Sequence, residues 1–256
     1  ARGAVDRANA YPDPFCRALR EAIARREGVE PGQVVCGAGA ADLIFRLCLA
    51  LKPRQALVTA PTFSEYEQAL RLFGCAVRRF PLLPEEGFVL PERFPEALAP
   101  GLDLLFLCTP NNPTGRCIPL PLLERIANRC REIGARLVLD ECFMELTDRP
   151  LATALLERYP DLFLLRAFTK TYAVPGLRLG YGLSADEALL DRLWSAGPPW
   201  SVSTVAQAAG IAACGCSDWP ERGRAVLRQE RPRLMAALGD LGLTVWPGEA
   251  NYLLFR

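Results

Sequence analysis

The chain has 256 residues, half of them hydrophobic, and a formal net charge of +1. This length suffices for one large domain with a sizeable core, or for one domain and part of another. The balanced charge gives no reason to expect nucleic acid or membrane partners, and no apolar run approaches the length of a membrane span.

Helical patterns alternate with short apolar runs along the first two thirds of the chain. Because apolar runs of this length separated by helices are typical of buried parallel strands, the pattern predicts an α/β fold with a mostly parallel sheet flanked by helices. We predict helices over residues 14–26, 40–51, 63–72 and 120–133, and strands over 34–36, 56–59, 76–80, 104–108, 136–139, 162–165 and 179–181.

From residue 185 onward helical patterns dominate, over 185–194, 204–213 and 221–238, and two short strands follow over 243–246 and 252–255. We interpret residues 1–198 as a large domain and residues 199–256 as connecting helices and the beginning of a smaller α+β domain. The chain starts without Met and ends within a predicted strand, so we expect it to be part of a longer protein.

Ten cysteines and no histidine restrict the chemistry. Without histidine the mixed Cys and His zinc sites cannot form, and no Cys-x-x-Cys pair is present, so we expect no metal. Cysteines such as Cys36, Cys48 and Cys108 lie in apolar runs, which is typical of buried free thiols in a cytoplasmic protein. The missing histidine also excludes Ser-His-Asp and Cys-His catalysis.

Three polar residues directly follow predicted strands, namely Asn112, Asp140 and Lys170, and Arg178 comes eight residues after Lys170. Ligands of parallel sheets bind at the carboxyl ends of the strands, so we expect these side chains to line one crevice. Each residue alone has an ordinary explanation as a turn, a helix cap or a surface charge. Their combination in this order favours a cofactor site.

The set matches what pyridoxal 5'-phosphate (PLP) requires. A lysine bonds to the aldehyde of PLP, a carboxylate pairs with the pyridine nitrogen, an amide meets the phenolic oxygen, and an arginine holds the phosphate. The turn at residues 37–42 opens a helix whose free N–H groups suit a phosphate, and Phe63 or Tyr66 could stack on the ring.

The glycines of this turn also suit a dinucleotide site, which is a competing interpretation. That motif requires a third glycine where Asp42 stands, and an acidic residue at the end of the next strand. The next strand instead runs into Ala60-Pro61-Thr62, so we disfavour the dinucleotide site.

Three motifs carry a family resemblance: Asn111-Asn-Pro-Thr-Gly115, Asp140-Glu-x-Phe143, and Thr169-Lys-x-Tyr-Ala-x-Pro-Gly-Leu-Arg-Leu-Gly-Tyr181. With them the chain resembles the histidinol-phosphate aminotransferase group of fold-type I PLP enzymes, over residues 11–255. Within the group it is most similar to the threonine-phosphate decarboxylases of cobalamin biosynthesis.

The resemblance implies a role for each matching residue. Lys170 would carry the cofactor and Asp140 would pair with its pyridine nitrogen. Asn251 would lie near the substrate, and Tyr11 would reach the phosphate of the partner subunit in a homodimer. The remaining cofactor contacts implied are Ala40, Ala41, Phe63, Asn112, Thr169 and Arg178.

The sequence departs from the group at Phe143, where aminotransferases have a tyrosine, and at Ala167, where a hydroxyl residue is common. The N-terminal arm and the C-terminal arginine that binds the substrate carboxylate are also outside the given residues. Three alternatives therefore stay open: a decarboxylase of O-phosphothreonine, an aminotransferase of histidinol phosphate or a related amino acid, and a cofactor-binding chain without turnover.

Overall fold

The computed structural model describes residues 2–6 and 9–256. Its helices are α1 (Arg2–Val5), α2 (Arg17–Glu27), α3 (Ala40–Leu51), α4 (Ser64–Leu72), α5 (Leu120–Ile133), α6 (Phe168–Thr171), α7 (Glu187–Ser195), α8 (Thr204–Cys214) and α9 (Trp219–Asp240). Its strands are β1 (Val34–Gly37), β2 (Gln55–Ala60), β3 (Ala76–Pro81), β4 (Leu104–Cys108), β5 (Arg136–Asp140), β6 (Leu162–Ala167), β7 (Gly180–Leu183), β8 (Val245–Trp246) and β9 (Leu254–Phe255).

Seven of these strands form one sheet in the order β1-β7-β6-β5-β4-β2-β3. Strands β2 to β6 pair in parallel, whereas β7 runs antiparallel to both of its neighbours, β6 and β1. The predicted α/β fold with a mostly parallel sheet is confirmed.

Hydrophobic residues cover both faces of the sheet, which explains why the strands read as continuous apolar runs. Strands β4 and β6 are buried at every position. One face of the sheet packs against α2 and α5, and the other against α3, α4 and α7. Both faces of the central strands are therefore closed to water, and the strand ends remain as the place for a ligand.

The sequence prediction of the α2 start at residue 14 was wrong by three positions. The carboxylate of Asp13 accepts the backbone N–H groups of Phe15 and Arg17, at 3.1 and 2.8 Å. Cys16 adopts a left-handed conformation with φ of 50°, which no helix interior allows. A turn built on Asp13 thus precedes the helix.

Helices α8 and α9 and the small β8–β9 hairpin follow the sheet. The long helix α9 is anchored at its start, since the indole of Trp219 donates to the carbonyl oxygen of Thr171 at 2.7 Å. One turn later, Arg224 donates to the carbonyl oxygen of Glu145 at 2.8 Å. No helix among residues 2–6 and 9–256 combines the length and the apolar character needed to span a membrane.

The cysteines that lie in apolar runs are buried, as predicted for Cys36, Cys48 and Cys108. Cys216, at the junction of α8 and α9, is exposed. Burial raises the pKa of the Cys48 and Cys130 thiols to about 12, so these groups remain protonated and act as small hydrophobic side chains.

Candidate active site

A cleft of about 130 Å³ opens at the carboxyl ends of the parallel strands. The loops after β1, β2, β4, β5 and β6 all reach it, and the turn before β7 closes one side. Its lining residues are Ala40, Ala41, Phe63, Tyr66, Cys108, Asn112, Asp140, Cys142, Phe143, Ala167, Thr169, Lys170 and Arg178. Eight of the ten residues that the sequence singled out therefore meet in one place.

Asp140 ends β5 at the floor of the cleft and is only 4% exposed. One carboxylate oxygen accepts the hydroxyl of Tyr66 at 2.5 Å, and the other accepts the backbone N–H of Cys142 at 2.9 Å. Burial raises the pKa of Asp140, against these hydrogen bonds and the charge of Lys170, which lower it. A cation beside this carboxylate would therefore be strongly favoured.

Lys170 lies on the short helix α6, directly after β6. Its Nζ atom is 5.5 Å from the centroid of the Phe143 ring. A phenyl ring carries no hydroxyl, so the amine meets an aromatic face where a tyrosine would present an oxygen.

The two adjacent asparagines after β4 have different tasks. Asn111 is buried, and its side chain accepts from the Thr62 hydroxyl at 2.8 Å and donates to Pro61 and Thr114 at 3.0 Å each. Asn112 is half-buried and lines the cleft. Asn111 thus holds the loop, whereas Asn112 contributes to the lining of the cleft.

The start of α3 and the guanidinium of Arg178 form the opposite end of the cleft. Arg178 adopts a left-handed conformation with φ of 52°, and a Cβ atom added to Gly39 would lie 2.7 Å from its Nη2 atom. A Cβ atom at Gly180 would lie 2.5 Å from the backbone nitrogen of Ala40. The two glycines let β7 and Arg178 approach the helix N-terminus closely enough to enclose an anion.

A buried ion cluster lies behind the cleft. Arg166 is 2% exposed and donates to Glu141 at 2.6 Å, and it also pairs with Glu27. Tyr181 donates to Glu27 at 2.7 Å. Because Glu141 follows Asp140 and Arg166 precedes α6, this cluster ties together the two segments that carry Asp140 and Lys170.

Two of the predicted site residues lie elsewhere. Tyr11 is 82% exposed and packs against Trp200, with ring centroids 4.9 Å apart. Asn251 is exposed and lines a separate cleft beside Arg231 of α9. In this chain neither residue lines the cleft that holds Lys170.

Sequence reasoning missed the role of Tyr66, which it considered only as a stacking ring. The hydroxyl of Tyr66 is fully buried against Asp140, and its ring stacks on Phe106 with centroids 5.0 Å apart. The spacing of Phe63 and Tyr66 indicates that both face the cleft, because residues three apart around the start of α4 lie on the same side.

The donor set of the cleft fits PLP. Its lining combines a buried carboxylate, an amine, an amide and an aromatic ring, and a guanidinium that lies beside the N-terminus of α3. A planar cationic ring that carries a phosphate would satisfy the polar groups that the protein leaves free.

Comparison with known proteins gives the same picture. The sequence profile of the family "Aminotransferase class I and II" matches residues 2–256. The threonine-phosphate decarboxylase of Salmonella typhimurium is 42% identical over 248 residues, which cover 96% of this chain and 68% of that protein. The histidinol-phosphate aminotransferase of Symbiobacterium thermophilum is 36% identical over 260 residues, which cover 100% of this chain and 70% of that protein.

The fold agrees with these relatives. The crystal structure of the histidinol-phosphate aminotransferase from Clostridium acetobutylicum superposes with a TM-score of 0.91 and 25% identity, covering 100% of this chain and 76% of that one. The chain therefore belongs to the class I and II aminotransferase family, whose members are PLP-dependent enzymes of fold type I.

Proposed function

We propose that this chain binds PLP through Lys170 and decarboxylates L-threonine O-3-phosphate to (R)-1-aminopropan-2-yl phosphate. The observation that carries the cofactor assignment is the convergence of Lys170, Asp140, Asn112 and Arg178 on one cleft. The choice of reaction is supported by the 42% identity to a threonine-phosphate decarboxylase, against 36% for the histidinol-phosphate aminotransferase quoted above.

Each residue has a defined task in this proposal. PLP supplies an electron-withdrawing ring that accepts the electron pair of the bond broken at the substrate Cα. Asp140 keeps the ring nitrogen protonated, and Asn112 orients the ring through its phenolic oxygen. Arg178, Thr169 and the N–H groups of Ala40 and Ala41 hold the phosphate of the cofactor, while Phe63 covers one face.

Lys170 also moves the proton. In decarboxylation the bond between Cα and the carboxylate would break, carbon dioxide would leave, and the ammonium form of Lys170 would deliver a proton to Cα. In transamination the neutral amine of Lys170 would remove the proton from Cα. The outcome would depend on how the substrate carboxylate and side-chain phosphate are held.

Covalent trapping tests the cofactor assignment directly. The sequence has two lysines, Lys52 and Lys170, so label on any other lysine side chain cannot confuse the result. Lys52 lies at the opposite edge of the sheet, just before β2. After incubation with PLP and borohydride, we expect a phosphopyridoxyl group on Lys170 by mass spectrometry. The Lys52→Arg variant should label like the wild type and Lys170→Arg should not. Label on Lys52 alone would contradict the assignment.

A product assay separates the reactions. Incubation with O-phospho-L-threonine should release carbon dioxide and aminopropanol phosphate. Glutamate formed from 2-oxoglutarate and histidinol phosphate, without carbon dioxide from the first substrate, would favour the second candidate, an aminotransferase. That candidate is supported by the alignment of the whole of this chain to 70% of a histidinol-phosphate aminotransferase. Labelling of Lys170 without product from either substrate would indicate a cofactor-binding chain without turnover.

We also propose that residues 1–198 form the cofactor-binding domain and that the active unit is a homodimer. The exposed rings of Tyr11 and Trp200 support the dimer, since they lie together on the surface and outside the cleft. In a two-fold dimer Tyr11 would reach the cofactor phosphate of the partner. Sedimentation should give a dimer, and Tyr11→Phe should weaken PLP binding. A monomer with full PLP affinity would exclude this arrangement.

A further inference from the structure

Tyr252 bridges the C-terminal segment of the chain and the loop that carries Asn112. Its hydroxyl is 3.0 Å from the carbonyl oxygen of Asn111 and 3.5 Å from that of Pro110. Burial raises the pKa of Tyr252, so the phenol retains its proton and acts as the donor. This hydrogen bond links Tyr252 to Asn112, because the carbonyl of Asn111 and the N–H of Asn112 belong to one planar peptide unit.

The ring of Tyr252 contacts a second wall of the cleft. It packs edge-on against Phe143, with ring centroids 5.0 Å apart and an interplanar angle of 81°. Phe143 is in turn the ring that lies 5.5 Å from Nζ of Lys170. Tyr252 itself does not line the cleft, so one side chain supports two of the lining residues from behind.

The segment around Tyr252 is held firmly enough to act as a support. The N–H of Glu249 donates to the carbonyl oxygen of Gly115 at 2.7 Å, and Arg231 donates to the carbonyl oxygens of Glu249 and Ala250 at 2.6 and 2.9 Å. A Cβ atom at Gly248 would lie 3.0 Å from Cα of Gly115, so the two backbones touch. The position of Tyr252 is therefore fixed relative to the loop.

We infer that Tyr252 is a positioning residue of the active site. Through its hydroxyl it orients the peptide that carries Asn112, and through its ring it keeps Phe143 beside Lys170. The inference rests on the proposed binding of PLP at Lys170. It assigns to the C-terminal segment a contribution to the cofactor site that does not depend on substrate.

The test removes only the hydroxyl, with Tyr252→Phe, and compares it with Tyr159→Phe. Tyr159 is a matched control because it is buried and its hydroxyl donates to Asn128 at 3.1 Å, outside the cleft. In Tyr252→Phe we expect the dissociation constant of PLP to rise about fivefold, the size of one neutral hydrogen bond. The circular dichroism of bound PLP, which reports ring orientation, should also change.

Hydrogen exchange of the cofactor-free chain gives an independent readout. Amides in residues 109–118 should exchange faster in Tyr252→Phe than in the wild type, and at the wild-type rate in Tyr159→Phe. A further variant, Tyr252→Leu, also removes the ring and should weaken PLP binding more than Tyr252→Phe does.

Two results would defeat the inference. One is a PLP dissociation constant and dichroism spectrum of Tyr252→Phe that stay at wild-type values. The other is an equal change in Tyr159→Phe, which would indicate general loss of stability. Both differ from failure of the proposed function, in which borohydride leaves Lys170 of the wild type unlabelled.

Discussion

The buried ion cluster behind the cleft allows a quantitative prediction for Arg166→Met. In the native chain Arg166 neutralises Glu141 and Glu27, and all three side chains are at most 4% exposed. Burial opposes the charge of Arg166, but the two carboxylates outweigh that cost and raise its pKa. Methionine fills a similar space and removes the charge, so the two acidic groups are left buried without their main partner.

Removal of one partner from a buried pair typically costs about 3–5 kcal/mol. Here a single guanidinium serves two carboxylates, and it also donates to the hydroxyl of Thr153 at 2.9 Å. Other donors remain, since Tyr181 still bonds to Glu27 and the N–H of Ala152 still bonds to Glu141 at 2.9 Å. We therefore expect a loss near the lower end of that range, about 3 kcal/mol.

Urea unfolding of the cofactor-free chain measures this loss, and it avoids the stability that bound PLP would add. The triple variant Arg166→Met, Glu27→Gln and Glu141→Gln is the control, because both glutamines keep an acceptor oxygen and carry no charge. It should recover more than half of the stability lost in Arg166→Met.

A loss of unfolding free energy below about 1 kcal/mol in Arg166→Met, the size typical of an exposed ion pair, would refute the reasoning. A triple variant that recovers none of the lost stability would refute it as well.

Substitutions around the cleft test its electrostatics and packing. Because burial raises the pKa of Asp140, Asp140→Asn should stabilise the cofactor-free chain by about 1 kcal/mol at neutral pH and abolish tight PLP binding. A melting temperature of the wild type above that of Asp140→Asn at about pH 8 would contradict this prediction. Tyr66→Phe removes the 2.5 Å hydrogen bond to Asp140, so the carboxyl should titrate at higher pH by carbon-13 NMR, and an unchanged titration would be evidence against the contact. Gly180→Ala forces a Cβ against the backbone of Ala40 and should cost about 2 kcal/mol. Gly239→Ala, near the end of α9, meets no atom of the described residues within 4 Å and should cost nothing. Equal unfolding midpoints of the two variants would contradict the packing argument.

The sequence was sufficient to predict the sheet and most of the cleft, because both depend on local patterns. The buried strands β4, β5 and β6 read as uninterrupted apolar runs, and the polar residues that follow them mark the strand ends. Asn112, Asp140 and Lys170 were therefore placed correctly at one edge from chain order alone.

Arg178 lies at the same edge of the sheet, but the apolar pattern of the strands does not explain why. It precedes its strand, so a parallel β7 would carry it to the opposite edge of the sheet. It lines the cleft because β7 runs antiparallel. Strand direction depends on long-range pairing, which apolar periodicity does not report.

Side-chain partnerships were the least predictable part of the site. Three contacts join residues from separate elements: that of Asn111 with Thr62, that of Tyr66 with Asp140, and that of Tyr252 with Phe143. Such pairs depend on how the elements pack, and identical local sequences could place them differently.

The position of β1 has a consequence for the order of assembly. This strand belongs to the first forty residues, yet its strand partner is β7, at residues 180–183. During synthesis from the N-terminus, β1 therefore has to remain unpaired while β2 to β6 can already associate with one another. The N-terminus of α3, which follows β1, reaches its final place only after β7 has been inserted between β1 and β6. The anion-binding end of the cleft is thus completed late, and the capacity to retain PLP arises after most of the sheet has formed.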